Sequence, residues 1–349
     1  MSRLPVPMNR APKRRGPVVT VVGKREGLDL ASATPSPVMR HAARIWRTMK
    51  TVTAAAMVLA GIAAYPAWMW SHHQVDTTPV DRSEIDRWAA PEAAVAVTLI
   101  AREVEGVGWT GDKPAWSPAH QLTAQPAWQA GLATALADFA QLAAVLDPEA
   151  AADPDLTAAS RLLRPSADEA MTPRLVAAAE AFARYNGRAT RGAANTIDTP
   201  AELEQLLNLM AVWAEDSHAA LARRVGQTDA WPAANGDVRV FYEARARAQV
   251  ADSLLSGILH ATPELSERAS LRAQVREVER VWRQVAAQSP LMVSNQHGDG
   301  LFLPNHLAAM AWHLDRAEEE TLRLADMAIG NAPNAAIAST ERIILTSAP

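Results

Sequence analysis

From residue 91 onward, apolar residues return every three or four positions and polar residues fill the gaps. Val97, Ile100, Ala101 and Val104 form the first stripe, and Trp128, Leu132, Leu136, Phe139, Leu142 and Leu146 the second. Leu175, Ala179, Phe182 and Tyr185 form a third. A longer stripe follows with Leu203, Leu206, Leu207, Met210, Ala214, Leu221 and Val225, and another with Phe241, Ala244, Ala248, Ala251, Leu255 and Ile258. Leu271, Val275, Val278, Trp282 and Val285 alternate in steps of four and three, and Leu307, Met310, Leu314, Ala317, Thr321 and Leu324 close the series. This is the period of helices that bury one face. Alternation with a period of two is confined to Val238–Tyr242. The spacing predicts an all-α domain over 91–329, a bundle of seven or eight helices packed antiparallel through modest loops.

Helix starts are written into the same region. Thr172 before Pro173 reads as an N-cap followed by the proline favoured at the first helical position. Thr199-Pro200-Ala201-Glu202 is a capping box, in which hydroxyl and carboxylate each satisfy a free backbone N–H. Asn305 is placed to cap the last helix.

Upstream, the chain from Thr51 to Trp70 runs twenty residues without a charge, about 30 Å as a helix. Arg40, Arg44, Arg47 and Lys50 precede it, and the first acid after it is Asp76. The pattern predicts one transmembrane helix over 51–70, with the basic side cytoplasmic. The expected organisation is a disordered basic cytoplasmic tail over 1–39, a basic juxtamembrane segment over 40–50, the membrane helix, a linker over 71–90, the periplasmic bundle over 91–329 and a flexible tail over 330–349. The expected location is a bacterial inner membrane, with the single-pass anchor as one partner.

Charge sharpens this division. The 349 residues carry a formal net charge of -4, but residues 1–50 hold 11 Lys+Arg against 2 acids and the remainder 23 against 36. An acidic domain of this kind argues against nucleic acid as a partner. There is no cysteine, which excludes a disulfide framework and every cysteine-ligated metal site.

Candidate chemistry is sparse. Gly106-Val107-Gly108-Trp109-Thr110-Gly111 matches the dinucleotide pattern in its letters but follows a helix rather than a strand, so its glycines read as a helix end and a turn. His306 and His313 stand seven residues apart, about 10.5 Å along one helix, too far to share an ion. His297, Asp299 and His306 lack a familiar ligand spacing, and no metal or cofactor is expected. Glu103 and Glu105 precede a loop bearing Trp109 and Trp116, the setting of a lone acid beside aromatic sugar platforms in a glycosidase or lytic transglycosylase. Trp213, Trp282 and Trp312 fall on helices and are expected in or near the core.

The long loops 106–124 and 288–304 are the expected places for function. Within and near them, the candidate binding or interface residues are Trp109, Trp116, Asn295, His297, Asp299, Asn305 and His306. Phe241, Tyr242, Glu243 and Arg245 complete that set. The alternative for Tyr242, Glu243 and Arg245 is a buried polar network that locks two helices together.

Ala152-Asp153-Pro154-Asp155-Leu156, Val240-Phe241-Tyr242-Glu243-Ala244-Arg245, and Gly300-Leu301-Phe302 through Asn305-His306 to Arg316-Ala317 resemble the bacterial family catalogued as domain of unknown function 2333. The resemblance covers roughly residues 92–328. It implies a Gram-negative envelope protein with one N-terminal membrane helix and a helical domain beyond it, and it supplies no activity. The expected function is therefore a binding or scaffolding component of the cell envelope, with peptidoglycan or other envelope proteins as partners. The alternative is a peptidoglycan-acting enzyme using Glu103 or Glu105.

Overall fold

The computed structural model describes residues 37–73, 75–117, 120, 122–147, 149–166, 169–225, 227, 235–290, 292–295 and 305–330. The expectations placed on residues 1–36, on His297 and Asp299, and on the tail from 331 lie outside the described residues. Among those described, there are ten α-helices and no strand: α1 (Pro37–His73), α2 (Arg82–Ile85), α3 (Pro91–Glu105), α4 (Ala124–Ala143), α5 (Pro154–Leu163), α6 (Met171–Ala189), α7 (Pro200–Val225), α8 (Asn235–Ala261), α9 (Ala269–Ala286) and α10 (His306–Ala328). The all-α expectation holds, and α3 to α10 are eight helices. Val238–Tyr242, the one stretch with alternating character, lies inside α8.

The chain divides into two units, Met1–Gly61 and Ile62–Pro349. In the first, Ile45, Met49, Val52, Val58 and Leu59 of α1 are all exposed. The expected transmembrane helix is not supported, because no helix among the described residues is long and apolar enough to cross a membrane. The physical reason lies in composition. Seven of the twenty residues from 51 to 70 are alanine, and Thr51, Thr53, Gly61 and Pro66 dilute the segment further. A run free of charge is not by itself strongly apolar, because each alanine gains little on transfer to lipid. The single-pass anchor falls with that helix, and the cytoplasmic-to-periplasmic topology loses the support it drew from it.

The second unit is organised around α8, which packs against α3, α4, α7 and α9. Its sequence stripe suggests one buried face, yet 17 of its 27 residues are buried, including Arg245, Gln249, Asp252 and Ser253. Small residues make this possible by letting neighbours approach. A Cβ on Gly131 of α4 would lie 2.7 Å from the Glu243 carbonyl oxygen, and one on Gly257 of α8 would lie 2.6 Å from Val95 Cγ2 on α3. Around this centre α7 pairs with α10, α9 with α10, α5 with α6, and α3 with α6. Trp282 of α9 donates its indole N–H to Thr321 Oγ1 of α10 at 2.9 Å. Trp312, expected in or near the core, is 59% exposed, since it stands two residues off the buried stripe of Met310 and Leu314.

Helix ends are capped partly from a distance. Asn305 caps α10 by accepting from Ala308 N at 2.9 Å, and the Thr199–Glu202 box opens α7. Helix α6 departs from the expectation: its N-cap position is Ala170, which makes no side-chain bond. Asp112, nearly sixty residues earlier, supplies the cap. It accepts from Met171 N at 2.8 Å and from Thr172 N and Oγ1 at 2.6 Å each. Burial pushes the Asp112 carboxyl up, but these bonds outweigh it and hold the group below its ordinary value of 3.8. Asp112→Ala is expected to destabilise the protein by about 1–2 kcal/mol at neutral pH, the scale of a lost cap. A depressed carboxylate stabilises the fold above its unfolded pKa and ceases to as pH falls through the folded value. The difference in melting temperature between wild type and Asp112→Ala should therefore close on acidification, which thermal melts at a series of pH values will check.

Candidate functional site

A chain of polar contacts crosses the core from α3 to α9. Glu103, only 6% exposed, accepts from Trp128 Nε1 at 2.8 Å, from Gln129 Nε2 at 2.9 Å and from Gln125 Nε2 at 3.4 Å. Burial pushes its carboxyl up, and the bonds from Gln129 and Trp128 oppose that. Gln129 then pins the following loop. Its carbonyl accepts from Thr110 N and Thr110 Oγ1, and its amide also donates to the Gly108 carbonyl at 3.0 Å. The glycines of that loop act as their spacing suggested: Gly106 ends α3, and Gly108 turns the chain at a φ of 73°.

On the α8 side, the Arg245 guanidinium lies 5.6 Å from the centre of the Trp128 ring and 5.8 Å from that of Tyr242. Its Nε donates to the Ala286 carbonyl at 2.7 Å. Burial draws Arg245 below its ordinary pKa, with Tyr242 pulling the other way. Arg245 makes no ion pair among the described residues; its charge is met by the Trp128 and Tyr242 rings, a side-chain hydrogen bond with Tyr242 and the Ala286 carbonyl. Phe241 and Tyr242 are buried beside it, with ring centres 5.5 Å apart at a steep angle. Three of the four candidates on this segment, Phe241, Tyr242 and Arg245, are therefore inside the bundle, and Arg245 ties α8 to the end of α9.

The remaining candidates separate. Trp109 is buried, whereas Trp116 is 73% exposed. Asn295 belongs to a clasp between helix ends, donating from Nδ2 to the Arg224 carbonyl at 2.8 Å, while Arg224 Nε donates to Asp237 Oδ1 at 2.7 Å. His306 exchanges bonds with Ser294: its backbone N–H donates to the Ser294 carbonyl, and its Nδ1 accepts from Ser294 N at 3.1 Å. That acceptor role fixes the neutral ring with its proton on Nε2, in keeping with the lowering of its pKa by burial. Glu105, unlike Glu103, is exposed, on a cleft of about 560 Å³ shared with Arg87, Trp88 and Arg102. Among the described residues, no group of three or more His, Asp or Glu side chains is arranged to hold a metal.

Glu243 is the candidate that faces outward. It lines a cleft of about 420 Å³ between the start of α4 and the start of α8, together with His120, Thr123, Asn235 and Arg239. Its half-buried carboxylate makes no hydrogen bond or ion pair among the described residues. Burial pushes its pKa up, and Arg239 and Arg247 pull it back. A perturbed acid in a polar cleft is a recognised mark of a binding or reaction site. His120 carries no sequence signal, because only the packing of α4 on α8 places the loop before α4 on the same cleft as Asn235 and Glu243 of α8. No family model, no curated protein and no solved structure matches the chain.

The locked geometry of Glu103 has a measurable consequence. Glu103→Gln keeps one acceptor oxygen but turns an amide N–H₂ toward the donors at the other, and is expected to cost about 1–3 kcal/mol in urea denaturation. Glu105→Gln, at an exposed position, should change stability by no more than about 0.5 kcal/mol. Equal effects at the two positions would show that the buried contacts of Glu103 contribute nothing to the fold.

Proposed function

We propose that the protein is a binding or scaffolding module that holds a polar partner at the Glu243 cleft. The observation that carries this reading is the contrast between buried Glu103 and half-buried Glu243. The carboxylate of Glu103 is satisfied inside the protein, while that of Glu243 stands partly desolvated and unpaired beside Arg239, His120, Thr123 and Asn235. Such a cleft offers an acceptor, cationic donors and amide and hydroxyl groups. That set suits a ligand rich in hydroxyl or amide groups, such as a glycan or a peptide backbone. The family that the chain resembles brings no activity with it, and its envelope setting makes peptidoglycan the first partner to test.

Full-length protein mixed with isolated cell-wall sacculi should pellet with them and release no soluble fragments. Glu243→Gln should weaken pelleting about tenfold, the loss of roughly 1.4 kcal/mol, while leaving the melting temperature in place. Release of muropeptides by wild type, abolished by Glu105→Gln, would overturn the reading in favour of a wall-cleaving enzyme.

A further inference from the structure

Tyr185 Oη lies 2.6 Å from Glu92 Oε1 and 2.6 Å from the carbonyl oxygen of Asn195. A phenol carries one hydrogen and can satisfy only one of these oxygens. The second short contact needs a second hydrogen, and among the three groups only the Glu92 carboxyl is able to supply it. The arrangement therefore fits a neutral Glu92 that donates to Tyr185, which in turn donates to Asn195. Glu92 is fully buried in the first turn of α3, and its Oε2 has no partner. A neutral acid tolerates that position far better than a carboxylate does.

The Asn195 end of this chain holds a short turn. In the connection from α6 to α7, Gly192 N and Ala193 N bond the end of α6, Ala194 and Ile197 pack in the core, and Glu202 accepts from Asp198 N and Thr199 N, which leaves Asn195 and Thr196 with the least to fix them. Among the described residues, 194–197 make no backbone–backbone hydrogen bond. Their polar tethers are the Tyr185 bond and a 3.4 Å bond from Asn195 Nδ2 to Asp147. Ala194 and Asn195 also form one wall of a cleft of about 190 Å³, whose other walls include Asp147, Asp153 and Arg188. Adjacent to the chain, Ala90 N donates to Asn186 Oδ1 at 3.0 Å, which fixes the start of α3 on α6 independently of any proton.

We propose that Glu92, Tyr185 and Asn195 form a proton-operated latch on this cleft wall. With Glu92 neutral, both hydrogens are in place and the turn at Asn195 is held. When Glu92 loses its proton, Tyr185 turns its hydrogen to the new carboxylate, the Asn195 carbonyl is left without a donor, and the turn at Asn195–Thr196 is released between its fixed neighbours.

The surroundings set the latch near neutrality. Burial lifts the Glu92 carboxyl from about 4.5 to about 7, against the bonds from Tyr185 and the backbone. Glu202, at the start of α7, and Asp198, in the segment itself, push the same way as burial. On the α6 side, Tyr185 is held well above its ordinary range by burial, Glu92, Asp153 and Glu202, so the phenol stays neutral throughout. Helix α8 meets α3 at Val95 through Gly257. No ion pair among the described residues neutralises Glu92. The sign follows from the raised value: folding takes up a proton between the two pKa values, so the stabilisation is present below about 4.5 and is lost as pH rises through about 7.

The carbonyl carbon-13 chemical shift of Asn195, which moves when the carbonyl gains or loses a hydrogen-bond donor, reads the latch directly. In wild type it should pass between two limits in a single titration, the released fraction rising about tenfold from one pH unit below the Glu92 midpoint to one unit above it, following the ionised fraction. Glu92→Gln retains a donor toward Tyr185 that cannot ionise, so the shift should stay at the bonded limit at both pH values. Tyr185→Phe should leave it at the released limit at both. An infrared band of a neutral carboxylic acid, present in wild type at pH values where ordinary carboxyls are ionised and missing in Glu92→Gln, would identify the group. A wild-type Asn195 shift that does not change across this range, or the same change in Glu92→Gln, overturns the proposal.

Discussion

Taking a carboxylate and a guanidinium into one helical core is unfavourable unless each finds compensation there, and Trp128 provides it for both. Its indole N–H donates to Glu103, and its ring lies beneath Arg245. A carboxylate on the N–H side enriches the ring in electron density, and an electron-rich face attracts a cation more strongly. The two charges therefore support one another without touching. Because Glu103 is on α3, Trp128 on α4 and Arg245 on α8, this contact fixes the relative placement of three helices, and the Arg245 bond to the Ala286 carbonyl extends it to the end of α9.

The central position of α8 depends on that arrangement. A helix buried over most of its surface is ordinarily apolar all round. Here α8 carries Arg245, Gln249 and Asp252 into the interior, and each has an internal partner: Ala286, Ser253 and Arg283 respectively. Its alanines and Gly257, with Gly131 opposite, bring backbones close enough for these short-range contacts to form. Close approach and polar satisfaction are thus one design, since a bulkier interface would open gaps that the polar groups could not span.

The fold was legible in the sequence to the extent that apolar spacing reports it. The stripes around Leu132, Leu206, Val278 and Leu314 mark real helices, and the Thr199 box and the Asn305 cap are where local chemistry put them. What the sequence concealed was long-range. Asp112 caps α6 across nearly sixty residues, and no local pattern announces a cap supplied from another loop. Glu103 read as a possible catalytic acid because sequence shows charge but not the three donors that enclose it. Residues 51–70 read as a membrane helix because a run without charge resembles a run of high hydropathy, and alanine separates the two. In the Phe241–Arg245 segment, the exposed member and the buried ones cannot be distinguished by spacing, since α8 is covered on most sides.

These contrasts also locate where change is possible. Four acids of this protein form two contrasting pairs. Buried Glu103 and exposed Asp112 are surrounded by donors that favour a fixed arrangement, and their contacts bind loops to helices. Glu92 and Glu243 lack a full set of donors, and burial lifts both above the ordinary carboxylate range. For such groups the free energy of the folded state changes whenever a proton or a partner arrives, because either one removes the penalty of an unsatisfied charge. Glu92 is sealed from solvent, so a proton is the partner available to it. Glu243 borders a cleft, so a larger ligand fits there. The same deficit of internal donors, placed at two depths, is what the proposed latch at Glu92 and the proposed recognition site at Glu243 both draw on.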